Sequence, residues 1–353
     1  MRVHTGVMFL RPTDLGHGQQ WQSNRAQGST QTSQSKPKLL DQLREALRSR
    51  HYSSSTEQSY CLWVKRYIFY HGVRHPAEMA EPEINAFLSH LAIDKKVSAS
   101  TQNQALSALL FLYRHVLQRQ VGELGNVVRA QKPRRLPVIL SREEVKEVLS
   151  RLHGRNWLLA SLLYGTGMRI MEALQLRIQD IDFGSQEIIV RNGKGAQDRV
   201  TMLPASLIPD LKRHLRSVKV IHEGDLHAGW GQVALPHALQ RKYPNAAKEW
   251  GWQWAFPQAK RWRNQQTGAQ GRHHQDPSIL QKAVREAVLQ AGIAKRASCH
   301  TFRHSFATHL LADGYDIRTI QELLGHKDVR TTMVYTHVLN RGGRGVRSPL
   351  DAL

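Results

Sequence analysis

CHTFRHSFATHLLADG (residues 299–314) and LLGHKDVRTTMVYTHV (residues 323–338) decide how this chain is read. In the first stretch His300 and Arg303 stand three residues apart, so on a helix they share one face. In the second, His326 follows Gly325, a residue suited to ending a helix, and Tyr335 lies nine residues further on. A third stretch, YGTGMRIMEALQL (residues 164–176), adds Arg169. Taken singly these residues say little, because a lone arginine is commonly a solvated cation and a lone histidine a hydrogen-bonded core residue. The ordered set of Arg, His-x-x-Arg, Gly-His and Tyr is hard to obtain by chance.

The rest of the chain fits a partner that is a polyanion. Fifty Lys and Arg against 28 Asp and Glu leave a net charge of +22. Each cation set on a phosphate releases counterions and gains affinity. A merely basic soluble protein and an anionic membrane surface are the alternatives. No apolar run approaches the ~18–20 residues of a spanning helix, and no basic-then-apolar leader is visible. No membrane partner is therefore expected. Cys61 and Cys299 are too few and too far apart for a disulfide framework, which fits a reducing cytoplasm.

At 353 residues the chain is long enough for two domains. Residues 1–36, rich in Gln, Ser, Thr and Gly, read as a disordered tail, with Met1 and Met8 both candidates for the translation start. Residues 37–120 predict four helices. The first covers Leu39–Ser49, and the second opens at a capping box, Ser54-x-x-Glu57. The third has Pro82 at its first position, and the fourth spans Thr101–Leu117. Their apolar stripes read as core. Residues 121–137, ending in QKPRRLP, read as a basic interdomain linker.

The second domain, residues 138–353, opens at another capping box, Ser141-x-x-Glu144. Helices are predicted to about Leu152 and over Asn156–Leu163 and Met168–Leu176. EIIVRNG (187–193) and RVTMLP (199–204) flank GKGAQD (193–198) and predict a hairpin with Lys194 on its turn. A helix runs to about His222. Residues 223–275 then read as a long loop, functional or disordered, before helices resume at Pro277. The predicted fold class is mainly α with a small antiparallel β-sheet.

From about Leu39 to its end the chain resembles the tyrosine recombinase (phage integrase) family, through Arg169, Lys194, His300, Arg303, His326 and Tyr335. It is most similar to the integron integrase branch. The stretches that carry this are HYSSSTEQSYCLWVKRYIFYHGVRHP (51–76), ALPHALQRKYPNAAKEWGWQWAF (234–256), GRHHQ (271–275) and RGGRGVRSPLDAL (341–353). The resemblance implies a four-helix core-binding (SAM-like) domain followed by an α+β catalytic domain. It also implies recombination of attI duplex with attC, the latter as a folded single-stranded hairpin. A 3′-phosphotyrosine intermediate and a homotetramer on DNA are implied with it.

The chemistry accounts for the residue types. Arg169 and Arg303 are forks that bind phosphate oxygens and stay charged, and His326 would add a third donor. Tyr335 would attack phosphorus and conserve the bond energy, so neither ATP nor another cofactor is needed. A phenol with an ordinary pKa of ~10 needs a proton acceptor, for which His300 is the candidate. Lys194 is the candidate acid for the leaving 5′ oxygen, and Glu172 would brace the site. No G-x-x-x-x-G-K-[ST] is present for nucleotide binding. His300, His304 and His309 have metal-like spacing but no acidic partner, and Arg303 beside them would repel a cation, so no metal is expected. His304 and His309 read instead as packing or phosphate-side residues.

Residues 223–275 resemble the insertion that marks the integron branch, where bases turned out of the hairpin are recognised. Stacking on an aromatic face contributes ~1–3 kcal/mol per base. Pro236, Tyr243, Trp252, His273 and His274 are the candidate DNA contacts carried over by position. Each tryptophan of EWGWQW, at 250, 252 and 254, can equally anchor the insertion, and one register error would move the assignment. The competing functions are a phage-type or Xer-like recombinase on duplex sites, a type IB topoisomerase, and a non-catalytic DNA-binding module.

Overall fold

The computed structural model describes residues 38–119, 136–191, 198–235, 237–265, 268 and 270–336. The expected N-terminal tail, most of the basic linker, the turn bearing Lys194, Pro236 and the chain after Thr336 lie outside them. The chain divides into two compact units, Met1–Pro133 and Arg134–Leu353. Both are mostly helical, and the second carries small antiparallel sheets.

The first unit holds α1 (Leu39–Arg48), α2 (Ser54–Tyr70), α3 (Glu81–Ile93) and α4 (Ala99–Phe111), the last running into a π turn at Leu112–Val116. Its core is the expected stripe: Leu43, Leu47, Val64, Ile84, Phe87 and Leu109 are buried together. Tyr67 and Tyr113 enter that core with their hydroxyls paired at 2.9 Å, one donating to the other, so each buried oxygen has a partner. Helix starts differ slightly from expectation. Ser53, not Ser54, caps α2 by accepting from Thr56 N–H, which leaves Glu57 to pair with Arg48 at 2.8 Å. Pro82 is the second residue of α3, and Glu83 accepts from Ala80 N–H at 2.8 Å. Ser98 caps α4, which begins at Ala99 rather than Thr101.

The second unit begins with α5 (Arg142–Ser150), where Ser141 and Glu144 form the predicted reciprocal cap. Then come α6 (Gly154–Thr166) and α7 (Ile170–Leu174). A three-stranded antiparallel sheet follows, in the order β1 (Ile181–Asp182), β2 (Glu187–Val190), β3 (Arg199–Met202). Glu187 pairs with Met202 and Val190 with Arg199 across the predicted hairpin. Helix α8 (Ile208–His227) extends beyond His222 into the expected loop.

That loop is an organised insertion. It contains α9 (His237–Lys242), two 3-10 turns (Ala246–Lys248 and Trp250–Trp252) and a hairpin of β4 (Pro257–Arg263) with β5 (Gln270–His274). Two features explain its order. Val233, Leu235, Ala246 and Trp254 bury a small core of their own. The insertion is also stitched to the main body: Ile178 N–H donates to Gln253 at 3.1 Å, and Ala255 N–H to Leu176 at 2.8 Å. The guanidinium of Arg177 lies 3.2 Å over the Trp254 ring and donates to the carbonyls of Trp252 and Ala234. Ala255 and Phe256 then join the main core.

Four helices close the unit: α10 (Pro277–Gln290), α11 (Cys299–Ala312), α12 (Ile317–Leu324) and α13 (Val329–Thr332). A 3-10 turn at Met333–Tyr335 follows them. Among the described residues no helix is long and apolar enough to cross a membrane.

Candidate active site

Three chain segments meet around Arg303, which is 1% exposed on α11. Helix α6 ends at Gly167 in the left-handed conformation (φ +66°), and the Gly167 carbonyl accepts from Arg303 Nη1 at 2.5 Å. Helix α12 ends at Gly325 (φ +62°), and Leu324 just before it accepts from Arg303 Nη2 at 2.7 Å. Unsatisfied helix-end carbonyls are natural acceptors for a buried cation. Burial and the nearby Arg169 push the Arg303 pKa down to about 9, which still leaves it charged at neutral pH.

Arg303 Nη2 also contacts His326 Nε2 at 3.0 Å. A guanidinium can only donate, so Nε2 must be bare, and the proton sits on Nδ1, which faces Thr332 Oγ1 at 2.9 Å. Burial, then the charges of Arg303 and Arg169, lower the His326 pKa to about 4, consistent with a neutral ring. His326 was expected to donate to a phosphate, but in this structure both ring nitrogens are already engaged.

Arg169 stands at the start of α7 and is partly exposed. Its backbone N–H and Nη1 both donate to Glu172, at 2.8 and 2.6 Å. Arg199 of β3, which sequence reasoning passed over, grips the same carboxylate with two nitrogens at 3.1 and 2.6 Å. Its Nε reaches the Leu323 carbonyl at 2.8 Å. Arg303 Nη1 lies 4.0 Å from Glu172. Burial alone would raise the Glu172 pKa. The hydrogen bonds from Arg199 and Arg169 outweigh it and bring the pKa to about 2. Glu172 therefore braces three arginines.

Tyr335 is 3% exposed, and its ring lies parallel to His326 at 6.5 Å. Burial raises its pKa, while Arg303 and Arg169 pull it back down. The partner of its hydroxyl is not the expected His300. His304 Nδ1, one helical turn further along α11, contacts Tyr335 Oη at 2.8 Å. His300 sits on the exposed rim with its ring edge against His304, centroids 4.4 Å apart. The i,i+4 spacing makes the two histidines neighbours, so the sequence left either one available to the phenol. His309 packs elsewhere, its Nδ1 2.9 Å from Tyr164 Oη. Among the described residues no group of His, Cys, Asp and Glu is arranged to hold a metal.

The candidate contacts of the insertion are spread over its surface and its small core. Tyr243 is exposed just after α9. Trp252 is half-buried against the Val233–Trp254 cluster. His274 sets its edge on Trp254 at 5.4 Å and donates from Nδ1 to the Gln275 carbonyl. His273, on the opposite face of β5, is exposed and stacks on Trp262 at 5.1 Å and 19°. Trp262 carried no sequence signal because its partner lies across the strand pair. Of the three tryptophans in EWGWQW, Trp254 is buried, while Trp250 tilts over His222 at 5.8 Å.

The phage integrase family matches residues 139–341, more than half of the chain and every element described around Arg303. The chain belongs to the phage integrase family. It is a tyrosine recombinase, an enzyme of site-specific DNA cleavage and religation. The N-terminal SAM-like domain of phage integrases matches residues 39–123, the helices of the first unit. An integrase/recombinase of Escherichia coli is 54% identical over 316 residues, 90% of the recombinase described here and 94% of that relative. Tyrosine recombinase XerA of Thermococcus onnurineus is 31% identical over 290 residues, covering 81% and 86% of the two chains. Among solved structures, XerH site-specific recombinase bound to palindromic difH superposes with a TM-score of 0.56 at 25% identity, covering 84% and 81%. A lambda integrase dimer bound to a core site shares the fold, with a TM-score of 0.55 at 16% identity, covering 88% and 96%.

Proposed function

We propose that this recombinase is an integron integrase, joining attI to attC and attC to attC to insert and excise gene cassettes. It takes attC as a folded single-stranded hairpin and works as a homotetramer on DNA in the cytoplasm. Its first unit and the catalytic unit, joined by the basic segment 121–137, both engage the DNA. The observation that carries the chemistry is a buried tyrosine hydroxyl beside Arg303 and Arg169, with Glu172 holding the arginine side chains in place. Arg169 and Arg303 bind the scissile phosphate and stabilise the charge that develops on its oxygens. Tyr335 attacks phosphorus to give a 3′-phosphotyrosine. Lys194, His300 and His326 complete the site, with Lys194 protonating the 5′ oxygen as it leaves. His326 joins the phosphate once its contact with Arg303 opens.

The substrate reading rests on the insertion. Exposed Tyr243 and the His273–Trp262 stack offer flat faces and hydrogen-bonding edges to a base turned out of a stem, and Trp252, His274 and Pro236 are the further DNA contacts of this reading. A Xer-like recombinase on duplex sites is the second reading, favoured by the similarity to XerA and XerH.

Suicide-substrate cleavage separates the two. A folded attC hairpin should trap a covalent adduct that Tyr335→Phe abolishes. Trapping on the duplex form and none on the hairpin would sink the integron reading. Trp252→Ala and His273→Ala should weaken attC recombination more than cleavage of duplex attI, and equal losses on both would make these residues structural.

A further inference from the structure

The feature left over by that mechanism is His304. Tyr335 is buried, and the hydrogen-bond partner of its Oη is His304 Nδ1 at 2.8 Å. Two proton arrangements fit this contact. If Nδ1 carried the proton and donated, the phenol O–H would lose this bond, which is costly for a buried donor. If Nδ1 is bare it accepts the phenol proton, and that O–H is satisfied. The second arrangement needs a neutral ring. Burial, then the charges of His300 and Arg303, lower the His304 pKa to about 4, so the ring is neutral at working pH. His300 is placed to fix the His304 ring by edge-to-face contact at 4.4 Å and 79°.

We propose that His304, not His300, takes the proton from Tyr335 during strand cleavage, and that His300 is a positioning residue holding the His304 ring. This rests on Tyr335 being the nucleophile. As the Oη–P bond forms, the phenol proton passes to Nδ1. The P–O5′ bond breaks with its electron pair, and the 5′ oxygen takes a proton from the acid assigned above. His304 leaves the step as imidazolium beside the new phosphotyrosine, and it returns the proton to Oη when a 5′ hydroxyl attacks in the joining step. No oxidant, metal or cofactor enters the balance.

The groups facing this pair are His300 and Arg303 on α11, with Arg169 and His326 acting on the phenol side. His300 and His326 both have pKa values lowered from the usual imidazole range. Both shifts move these imidazoles' titration away from the interval pH 7 to 8.5 in which the test is run.

The test is single-turnover cleavage of a suicide substrate by the full chain, followed from pH 7 to 8.5. Peptide mapping of the wild-type adduct comes first. An adduct away from Tyr335 overturns the nucleophile itself, which separates that failure from failure of the His304 role. With the adduct on Tyr335, His304→Ala should cleave about 100-fold more slowly at pH 7. Its rate should climb about tenfold per pH unit, because hydroxide must now remove the proton, while the wild-type rate stays nearly level. DNA affinity, measured in a Tyr335→Phe background, should be unchanged. His304→Asn keeps a hydrogen-bonding group near Nδ1 but cannot take a proton, so it should behave like His304→Ala, and it carries the test if the alanine variant fails to fold. Wild-type-like cleavage by His304→Asn overturns the proposal, as does a level pH profile in either variant.

Discussion

At the scale of single residues, Glu172 organises the cationic site. Arg169 and Arg199 donate to its carboxylate, and Arg303 stands 4.0 Å away. Without that charge the guanidiniums would repel one another in a half-buried space. Glu172→Gln should therefore destabilise the free protein by about 3–5 kcal/mol, the usual cost of breaking a buried ion pair from one side. DNA should restore part of it, because a phosphate supplies the missing negative charge. Thermal melting with and without DNA checks this, and equal losses in both states would argue against the brace. The Arg169–Glu172 contact was legible because its members are three residues apart on a helix. Arg199 was not, because its partner lies 27 residues earlier and only the tertiary structure brings the two side chains together.

The elements that build the site depend on how two helices stop. Gly167 ends α6 with φ +66°, and a Cβ there would stand 2.5 Å from the Phe306 ring and 2.9 Å from Leu324. Gly167→Ala adds a left-handed penalty of ~1–2 kcal/mol to an overpacking cost of ~1–3 kcal/mol. A loss of about 2–5 kcal/mol is expected in urea titrations. Cleavage should fall as well, because the Gly167 carbonyl that holds Arg303 shifts. An alanine variant with the wild-type midpoint would contradict this account. At this scale the sequence marked the capping box at Ser141, the 187–202 hairpin and the glycine stop before His326. It misjudged residues 223–275, because the stripe that orders them is not periodic. Val233, Leu235, Ala246 and Trp254 come together only when Arg177 and Leu176 receive the insertion.

For the whole molecule, buried neutral imidazoles set the acid limit of stability. His304 and His326 each fall to about 4 on folding from an ordinary value of 6.5. Between those values the unfolded chain binds more protons, so stability rises with pH. Their contribution is complete above about pH 6.5 and is lost as pH falls toward about 4. Glu172, at about 2 in the folded state against 4.5, adds its own loss only below that ordinary carboxyl value. The melting temperature should climb from pH 4.5 to 6.5 and then level off, with a smaller climb in His304→Asn. A pH-independent melting temperature over that range would show that these rings are not held neutral.

The amino-acid sequence by itself determined the mainly helical fold, the nucleic-acid character and the family signature from which the candidate site was read. Those properties follow from local periodicity, net charge and residue type at fixed spacing, all of which survive without knowing the fold. Only the tertiary structure decided which histidine meets Tyr335, which residues hold the arginines, and that residues 223–275 form a tethered body. Each of those depends on side chains brought together from distant segments. A difference of one helical turn, from His300 to His304, changes which nitrogen stands 2.8 Å from the Tyr335 hydroxyl.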